Sequence, residues 1–349
     1  MRKMALFLLS FMMILTLSSL SDDLNSIGEG QQPQVSVDNK GTIRVVFGSG
    51  EQIFCATSRD HGLHFGQPVL VAKVPEMHLG MSRGPQLASS KNYSVISAID
   101  KSGAIHWFRL NHGTDQWKKM GVINDRSGSA PEGLMSIAAD SQDHFYAAWL
   151  DIRTGKQNQI YFASLSGKTV NWSKNVMVYH SPDQHVCECC KPSIAVQGPS
   201  VAIMFRNWLS GLRDLYVTRS ANMGQTFSAA QKMGLDTWKL NGCPMDGGGL
   251  RITPANAVQT VWQRKGNIYY ATPNKPETYL AKGRTCSISG SRTNPLITYQ
   301  NSDTLNMIEF PQKTPRMVGT GGYLKAVPVN SAVSLFVWEQ NNQIKCRRM

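Results

Sequence analysis

Three cysteines stand within four residues in the string Cys187-Glu188-Cys189-Cys190, and Cys243 follows further along the chain. Neighbouring thiols of this kind have two uses. In an oxidising compartment they form disulfides most simply, and Cys243 would then pair with one of the three. Thiolates are also good ligands for zinc and copper. Because Cys-x-Cys-Cys is cramped for one tetrahedral zinc ion, the sequence favours the disulfide and keeps a metal site as the alternative.

The other cysteines and donors refine these alternatives. Cys55, Cys286 and Cys346 fall within predicted strands, where buried free thiols are more common than metal ligands. The total of seven cysteines is odd, so at least one lies outside any intramolecular disulfide. No cofactor is required, and zinc or copper at the cysteine string is the alternative; three further donors keep copper among the candidates: His180, His185 and Met245.

Arginines suited to binding anions occur through the middle of the chain. A guanidinium group matches the oxygens of a carboxylate, sulfate or phosphate with two parallel hydrogen bonds. A group of arginines therefore predicts an acidic ligand. The candidates, with one aromatic neighbour, are Arg83, Arg153, Arg206, Arg264, Arg284 and Trp208. The alternative for any one arginine is that it pairs with Asp151 or Asp214 and braces a loop.

Carboxylates accompany these arginines along the chain. Cleavage of a glycosidic bond needs a proton donor together with a nucleophile or base. The candidates are Glu132, Glu188, Asp246 and Asp151. These residues can serve one site only if the fold brings them together.

The fold that brings the candidate residues together is predicted by a repeated unit of short strands. Each unit has a first apolar strand, a second strand that ends in a large apolar residue, a polar loop and a third strand. No stretch keeps a helical period. The predicted second and third strands are 42–47 and 52–57, 93–99 and 104–110, 145–150 and 159–164, 201–205 and 214–220, 257–262 and 267–272, 295–299 and 305–310, and 333–338 and 343–348.

Seven such units predict an all-β fold, a β-propeller of four-stranded blades, with a six-bladed ring as the alternative. One blade cannot bury both of its faces, whereas a closed ring of blades buries them and leaves few free edges. Two β-sandwiches or a β-solenoid would need two unlike halves or a different repeat length. The last unit lacks a fourth strand, so we expect residues 22–33 to help close the ring.

The propeller predicts where the candidate residues lie. Connections between blades and loops between second and third strands share one face of a propeller. The candidate arginines and carboxylates fall in these two sets of loops, so we expect them at the mouth of the central channel. The repeat also places Cys187 and Cys243 ahead of neighbouring blades at matching positions, which predicts that they are close together.

Two turns between third and fourth strands share the pattern S-x-(D/N)-x-G-x-x-F. The residues concerned are Ser58, Asp60, Gly62 and Phe65, and Ser220, Asn222, Gly224 and Phe227. The pattern resembles the Asp-box, or BNR repeat, of bacterial sialidases, and a degenerate copy runs over residues 164–172. The side chain of the Asp or Asn can accept hydrogen bonds from backbone N–H groups, and the Gly adopts a positive φ. The aromatic ring packs into the blade. We expect these residues to be structural and to lie away from the site.

The resemblance to sialidase-like propellers implies a particular anion site. Such a site holds the substrate carboxylate with three arginines. Arg206, Arg264 and Arg284 are the first choices, and Arg83 and Arg153 compete with them. The family's Arg-Ile-Pro motif has a partial counterpart in Arg83-Gly84-Pro85.

The resemblance also implies a tyrosine nucleophile paired with a Glu, and an Asp as the acid. Tyr323, at the start of the last unit, and Tyr269, on a third strand, are the possible counterparts of the tyrosine. For Tyr269, packing within the ring is the favoured role.

The beginning of the chain is typical of an export signal. Arg2 and Lys3 precede an apolar run over residues 5–20, which is short for a membrane span, and Ser19 and Ser21 suit a cleavage site. Cleavage would leave residues 22–349 as one propeller domain, periplasmic or secreted. No later segment is apolar enough to cross a membrane.

The net charge indicates an anionic partner. It is +13, or +11 without Arg2 and Lys3, and its scattered basic residues argue against nucleic-acid binding. The leading hypothesis is an exported sialidase-like glycoside hydrolase, of exo-α-sialidase type, acting on an acidic sugar. The alternatives are a non-catalytic propeller that binds an anionic glycan or a protein, and a cysteine-rich metal-binding factor.

Overall fold

The structure is a computed structural model, which describes residues 24–155, 157–290 and 294–349. The strands in these residues form seven antiparallel sheets of four strands each. Each sheet is one blade, numbered 1 to 7 by its first strand. The predicted export signal, residues 1–21, lies outside the described residues. Among those described, no helix is long and apolar enough to cross a membrane.

Blades 1 to 4 each consist of four consecutive strands. Blade 1 has β2 (Gln31–Val37), β3 (Ile43–Ser49), β4 (Gln52–Ser58) and β5 (Val69–Lys73). Blade 2 has β6 (Gln86–Ser89), β7 (Tyr93–Ile99), β8 (Ile105–Asn111) and β9 (Gln116–Val122). Blade 3 has β10 (Met135–Ala139), β11 (His144–Asp151), β12 (Gln159–Ser166) and β13 (Val176–Tyr179). Blade 4 has β14 (Ser193–Gln197), β15 (Ser200–Arg206), β16 (Leu215–Ser220) and β17 (Gln231–Lys232).

The remaining blades include the two ends of the described chain. Blade 5 has β18 (Gly249–Ile252), β19 (Val258–Arg264), β20 (Asn267–Ala271) and β21 (Thr278–Lys282). Blade 6 has β22 (Arg284–Gly290), β23 (Pro295–Asn301), β24 (Thr304–Glu309) and β25 (Arg316–Thr320). Blade 7 has β26 (Gly322–Pro328), β27 (Ser334–Gln340), β28 (Gln343–Arg348) and β1 (Asn25–Glu29).

Blade 7 takes its outermost strand from the beginning of the described chain. β1 pairs antiparallel with β28, with Asn25 opposite Cys346 and Glu29 opposite Gln343. The first strands of the blades contact one another in order around the ring, and β26 returns to β2. The predicted propeller with seven blades is therefore confirmed, and so is its closure by part of residues 22–33.

Apolar side chains fill the spaces between neighbouring blades. One cluster joins Trp107 of blade 2 to Trp149 of blade 3, and both side chains are buried. Every residue from Phe145 to Asp151 in β11 is buried, because a second strand has strands on both sides and blades on both faces. Such strands give the clearest signal in the sequence, and the predicted second and third strands match the observed ones to within about two residues.

The two turns with the pattern S-x-(D/N)-x-G-x-x-F form the expected hydrogen bonds within the turn. Ser220 Oγ donates to Asn222 Oδ1 at 2.8 Å and accepts the N–H of Gly224 at 2.9 Å. Phe227 packs against Phe162 of blade 3, with ring centroids 5.1 Å apart. The turn after β4 forms the corresponding bonds through Ser58, Asp60 and Gly62. Both turns lie at the end of the propeller opposite the connections between blades.

We predict that Gly224→Ala destabilises the protein more than Gly211→Ala does. Both glycines have a positive φ, +84° and +79°, so each substitution strains the backbone by about 1–2 kcal/mol. A Cβ at Gly224 would also overlap the ring of Phe162, whereas nothing lies within 4 Å of one at Gly211. Overpacking adds about 1–3 kcal/mol. Urea unfolding followed by tryptophan fluorescence measures the difference. Equal midpoints would contradict tight packing of this turn against blade 3.

Candidate functional site

The face that carries the connections between blades is uneven. The connections after blades 1 to 4 are long: residues 74–85, 123–134, 180–192 and 233–248. Blades 5 and 6 are joined by Gly283 alone, and blades 6 and 7 by Gly321 alone. A Cβ at either glycine would overlap a backbone carbonyl of the next blade, so only glycine permits so short a connection. This face, the mouth, is therefore high over blades 1 to 5 and low over blades 6 and 7.

Three sulfur atoms meet on the high side of the mouth. Sγ of Cys187 lies 3.6 Å from Sγ of Cys189 and 3.5 Å from Sγ of Cys190. All three sulfurs lie within 4.8 Å of one another, and we call this group the thiol cluster. Cys187 and Cys190 are buried, while Cys189 is partly exposed. The N–H of Cys187 donates to the carbonyl of Arg206 at 3.0 Å, which ties the cluster to the end of β15.

Arg213 supplies positive charge to the thiol cluster. Its Nη1 donates to Sγ of Cys187 at 2.8 Å, and its guanidinium group lies over the ring of Trp208, 4.3 Å from the centroid. Hydrogen bonding with the thiols of Cys189 and Cys190, together with the charge of Arg213, holds the pKa of Cys187 well below its ordinary range. Trp208, predicted to bind a ligand, orients Arg213.

The disulfide favoured by the sequence is not formed. All seven cysteines are free, and sulfurs 3.5 Å apart are well beyond the S–S bond length of about 2.05 Å. Cys243 is exposed and is not a member of the thiol cluster. Arg213, from the loop within blade 4, occupies the contact with Cys187 that Cys243 was expected to make. The prediction of buried free thiols at Cys55, Cys286 and Cys346 is confirmed.

A cavity of about 340 Å³ opens at the mouth, and we call it the axial cavity. Its lining residues come from the connections after blades 1 and 4 and from blades 6 and 7, which meet only over the axis. They are Met81, Ser82, Pro244, Met245, Asp246, Arg284, Thr285, Gln300, Gly322 and Tyr323. Three predicted site residues, Asp246, Arg284 and Tyr323, therefore share one cavity.

Backbone groups fix Asp246 and Tyr323. Asp246 Oδ1 accepts the N–H of Gly248 at 3.0 Å, and Oδ2 accepts the N–H of Thr285 at 2.7 Å. The Tyr323 hydroxyl accepts the N–H of Met81 at 3.2 Å. Each group is thus held by another part of the ring, which limits its movement when a ligand enters. Arg284 is exposed and forms no ion pair within the described residues.

Two lysines interact in the central channel. Lys191 precedes β14 of blade 4, and Lys325 lies in β26 of blade 7. Because blades 4 and 7 are not neighbours in the ring, the ammonium groups of these two lysines can interact only across the central channel. Nζ of Lys191 donates to Oε1 of Gln86 in blade 2 at 3.1 Å. The channel leaves both residues partly accessible, but their ammonium groups are buried. Lys325 also interacts with Asp246, which places the pair next to the axial cavity.

Arg206, a first choice for ligand binding, is used inside the protein. It is 1% exposed and donates to the carbonyls of Arg213 at 2.7 Å, Asp246 at 2.9 Å and Gln263 at 3.0 Å. These three carbonyls belong to three separate segments. Arg206 therefore braces the loops between the thiol cluster and the axial cavity. Its guanidinium group already donates to these carbonyls and cannot form a bidentate contact with a ligand.

The other candidate arginines pair with carboxylates outside the axial cavity. Arg153 binds the buried Asp151 at 2.8 Å, which places that predicted catalytic carboxylate in a loop brace. Arg83 lies 3.6 Å from the carboxylate of Glu132. Arg264 lies 3.0 Å from that of Asp236, also pairs with Glu277, and covers the ring of Tyr269. Tyr269 stacks on Trp262, as expected for a packing role.

Glu132 and Glu188 lie together on the high side. Burial, aided by the negative charge of Glu188, raises the pKa of Glu132, while Arg83 acts in the opposite direction. The Glu188 carboxylate lies 3.9 Å from both His185 and Arg213. Neither glutamate lines the axial cavity.

Sequence reasoning missed Lys191, Lys325 and Gln86. Their side chains come from blades 4, 7 and 2 and carry no local motif. The available signal was weak: Lys325 is a charged residue within an otherwise apolar first strand.

No protein-family model and no curated protein matches the chain. Among solved structures, it is similar to a protein of unknown function from Dyadobacter fermentans, at TM-score 0.54 and 14% identity, over 93% of this chain and 95% of that one. It is similar to an ulvan lyase of polysaccharide lyase family PL25, at TM-score 0.54 and 10% identity, over 92% and 94%. A Trypanosoma rangeli sialidase gives TM-score 0.51 and 11% identity, over 82% of this chain and 55% of the sialidase. At these identities the likeness concerns the propeller fold.

We predict that Arg206→Met lowers stability by about 3 kcal/mol or more, because it leaves buried carbonyls without donors at about 1–3 kcal/mol each. Arg284→Met is the matched control and should change stability by no more than about 0.5 kcal/mol, since Arg284 is exposed. Urea unfolding of both variants makes the comparison. A stable Arg206→Met variant would show that Arg206 is not a brace.

We predict that stability rises with pH from about 7 towards 10 because of Lys191. Burial, and then the charge of Lys325, lowers the pKa of Lys191 to about 7. In the unfolded chain the pKa is about 10.4, so over this range the unfolded state binds more protons than the native state does. Lys191→Met should abolish this contribution, whereas Lys118→Met, at an exposed site, should retain it. Unfolding midpoints at pH 7 and pH 9.5 test this, and identical slopes for the two variants would refute it.

Proposed function

We propose that the protein is exported and binds an acidic sugar in the axial cavity, with the carboxylate or sulfate of the sugar directed to Arg284 and the channel lysines. The observation that carries this proposal is the charge balance at the axis. Lys191, Lys325 and Arg284 are opposed by one lining carboxylate, that of Asp246, whose two oxygens already accept backbone N–H groups. Buried ammonium groups without a full counter-charge are costly, and an anionic ligand offsets that cost.

The other lining residues suit a sugar. Gln300, Thr285 and Ser82 offer polar groups for hydroxyls, and Met81 and Met245 offer apolar surface. A site with a mainly apolar wall and a few polar groups is the usual form of a small-ligand pocket. Among propellers of similar fold, the ulvan lyase structure is bound to -[GlcA(1-4)Rha3S]-, so this architecture accommodates such ligands.

Hydrolysis of exo-α-sialidase type is a second candidate function. It is favoured by the presence of Tyr323 and Asp246 in the same cavity as Arg284. The Tyr323 oxygen would bond to the anomeric carbon and give its phenolic proton to water, while the bond from that carbon to the departing oxygen breaks and Asp246, as the acid, gives that oxygen a proton. Water would then add to the anomeric carbon, release the sugar and return the proton to Tyr323. The family's glutamate partner has no counterpart among the lining residues, and Arg206 and Arg264 are used elsewhere. Binding is therefore the first proposal and cleavage the second.

Titration calorimetry with N-acetylneuraminic acid, glucuronic acid and a sulfated monosaccharide tests binding, with galactose as the neutral control. We expect an acidic sugar to bind, and Arg284→Ala to weaken its affinity at least about tenfold, the loss of one charge-assisted hydrogen bond. Arg126→Ala, at an exposed site outside the cavity, should not alter affinity. Absence of binding by every acidic sugar, or an equal effect of both variants, would overturn the proposal.

Release of dye from fluorogenic sialoside and glucuronide substrates tests cleavage. We expect Tyr323→Phe to lose release while it retains binding of the acidic sugar, because the substitution removes only the hydroxyl group. Binding without release from any substrate would eliminate hydrolysis and leave the binding proposal intact.

A further inference from the structure

We propose that the thiol cluster binds one copper(I) ion through the sulfur atoms of Cys187, Cys189 and Cys190. The proposed sugar site uses none of these sulfurs, so this inference does not depend on it. Binding replaces the remaining S–H protons, which leave to solvent, and involves no change of oxidation state at copper or sulfur.

The spacing of the sulfurs supports a metal rather than a disulfide. A metal bound at about 2.3 Å to each of three sulfurs holds them about 3.8–4.0 Å apart. The distances of 3.6 Å and 3.5 Å from Cys187 are within a few tenths of an ångström of that requirement. A disulfide would require two sulfurs to approach by well over an ångström. Two of the three sulfur–sulfur distances are thus close to those that a bound metal requires, and the third is at most 4.8 Å.

The backbone and the burial of the cluster suit a bound ion. Val186 donates its N–H to the carbonyl of Asn158 at 2.9 Å, and Cys187 donates to that of Arg206 at 3.0 Å, so two blades hold the string in place. Cys187 and Cys190 are at most 1% exposed, whereas Cys189 is partly exposed at the mouth. An ion can therefore enter past Cys189 and be shielded from water by the other two residues.

The charges around the cluster compensate the negative charge that a copper–thiolate centre would carry. Three thiolates with one copper(I) ion carry a net charge of −2. Arg213 donates directly to Cys187, and Arg206 lies near enough to act on Cys190. Two guanidinium groups thus compensate the anionic centre, and Arg213 is itself held by the ring of Trp208.

The ligand set distinguishes copper(I) from zinc. Soft thiolates suit both ions, but structural zinc requires four ligands in a tetrahedron. Cys243 is absent from the cluster, so a fourth ligand would have to be Glu188 or His185. Glu188 Oε2 is a buried atom that has no hydrogen-bond partner among the described residues, so this oxygen is a candidate for that fourth position. Copper(I) is satisfied by three sulfurs and needs neither residue.

Competition with a chromophoric copper(I) chelator under anaerobic, reducing conditions tests the proposal on the chain from residue 22 to 349. We expect the protein to withhold one equivalent of copper(I) from the chelator. X-ray absorption should show ligation by sulfur only, at about 2.3 Å. Cys187→Ser and Cys189→Ser should each weaken affinity at least about a hundredfold. Cys189 is partly exposed, so that variant tests the site even if Cys187→Ser does not fold.

Cys243→Ser is the matched control, because it removes an exposed cysteine outside the cluster. It should leave copper(I) affinity unchanged. Glu188→Gln should weaken zinc binding and spare copper(I) binding. The proposal is overturned if copper(I) is not withheld, if Cys243→Ser weakens affinity as much as Cys189→Ser does, or if zinc binds and copper(I) does not. Sugar binding by Cys189→Ser should equal that of wild type, which separates this result from the fate of the sugar site.

Discussion

The pairing of β1 with β28 is the constraint on which the axial cavity depends, because that cavity takes residues from blade 7. Without it blade 7 has three strands and a free edge, and only the packing of β26 and β27 against β2 holds that blade beside blade 1. The axial cavity takes residues from the connections after blades 1 and 4 and from blades 6 and 7. Lys191 and Lys325 interact only because the ring holds blades 4 and 7 on opposite sides of a narrow channel. The backbone hydrogen bonds of β1, near the beginning of the described chain, therefore help to place two lysines that lie far from β1 in the sequence.

Much of the fold could be predicted from the sequence because second strands are buried on both faces. The run Phe145–Asp151 has no exposed residue and is bounded by polar turns, so its limits are plain in the sequence. Fourth strands lack this signal. β17 is only Gln231–Lys232, and β5 has no buried residue, because the outer edge of a blade faces solvent. The single-glycine connections, Gly283 and Gly321, were equally invisible, since their shortness depends on a close approach to a carbonyl across the next blade.

The candidate site was predicted less completely, and Arg206 shows why. In the sequence it resembles Arg284: both are arginines at the mouth end of a strand. Their difference lies in backbone carbonyls up to 57 residues away, those of Asp246 and Gln263, which Arg206 satisfies and Arg284 does not. Buried carbonyls need donors, and loops that belong to different segments cannot pair as strands do. Whether an arginine binds a ligand or braces loops is thus decided by the nearby backbone carbonyls that lack another donor. No local sequence motif indicates where such carbonyls lie.

The same brace explains how two unlike sites coexist at one mouth. Arg206 links the carbonyl of Arg213, whose side chain contacts the thiol cluster, with the carbonyl of Asp246, whose side chain lines the axial cavity. The high side, rich in long connections, buries its polar groups and so supports thiolates held among guanidinium groups. The low side has connections of one glycine, which leave the axis open to a larger ligand. Asymmetry in loop length, imposed on a ring of similar blades, therefore separates an enclosed sulfur site from an open cationic one.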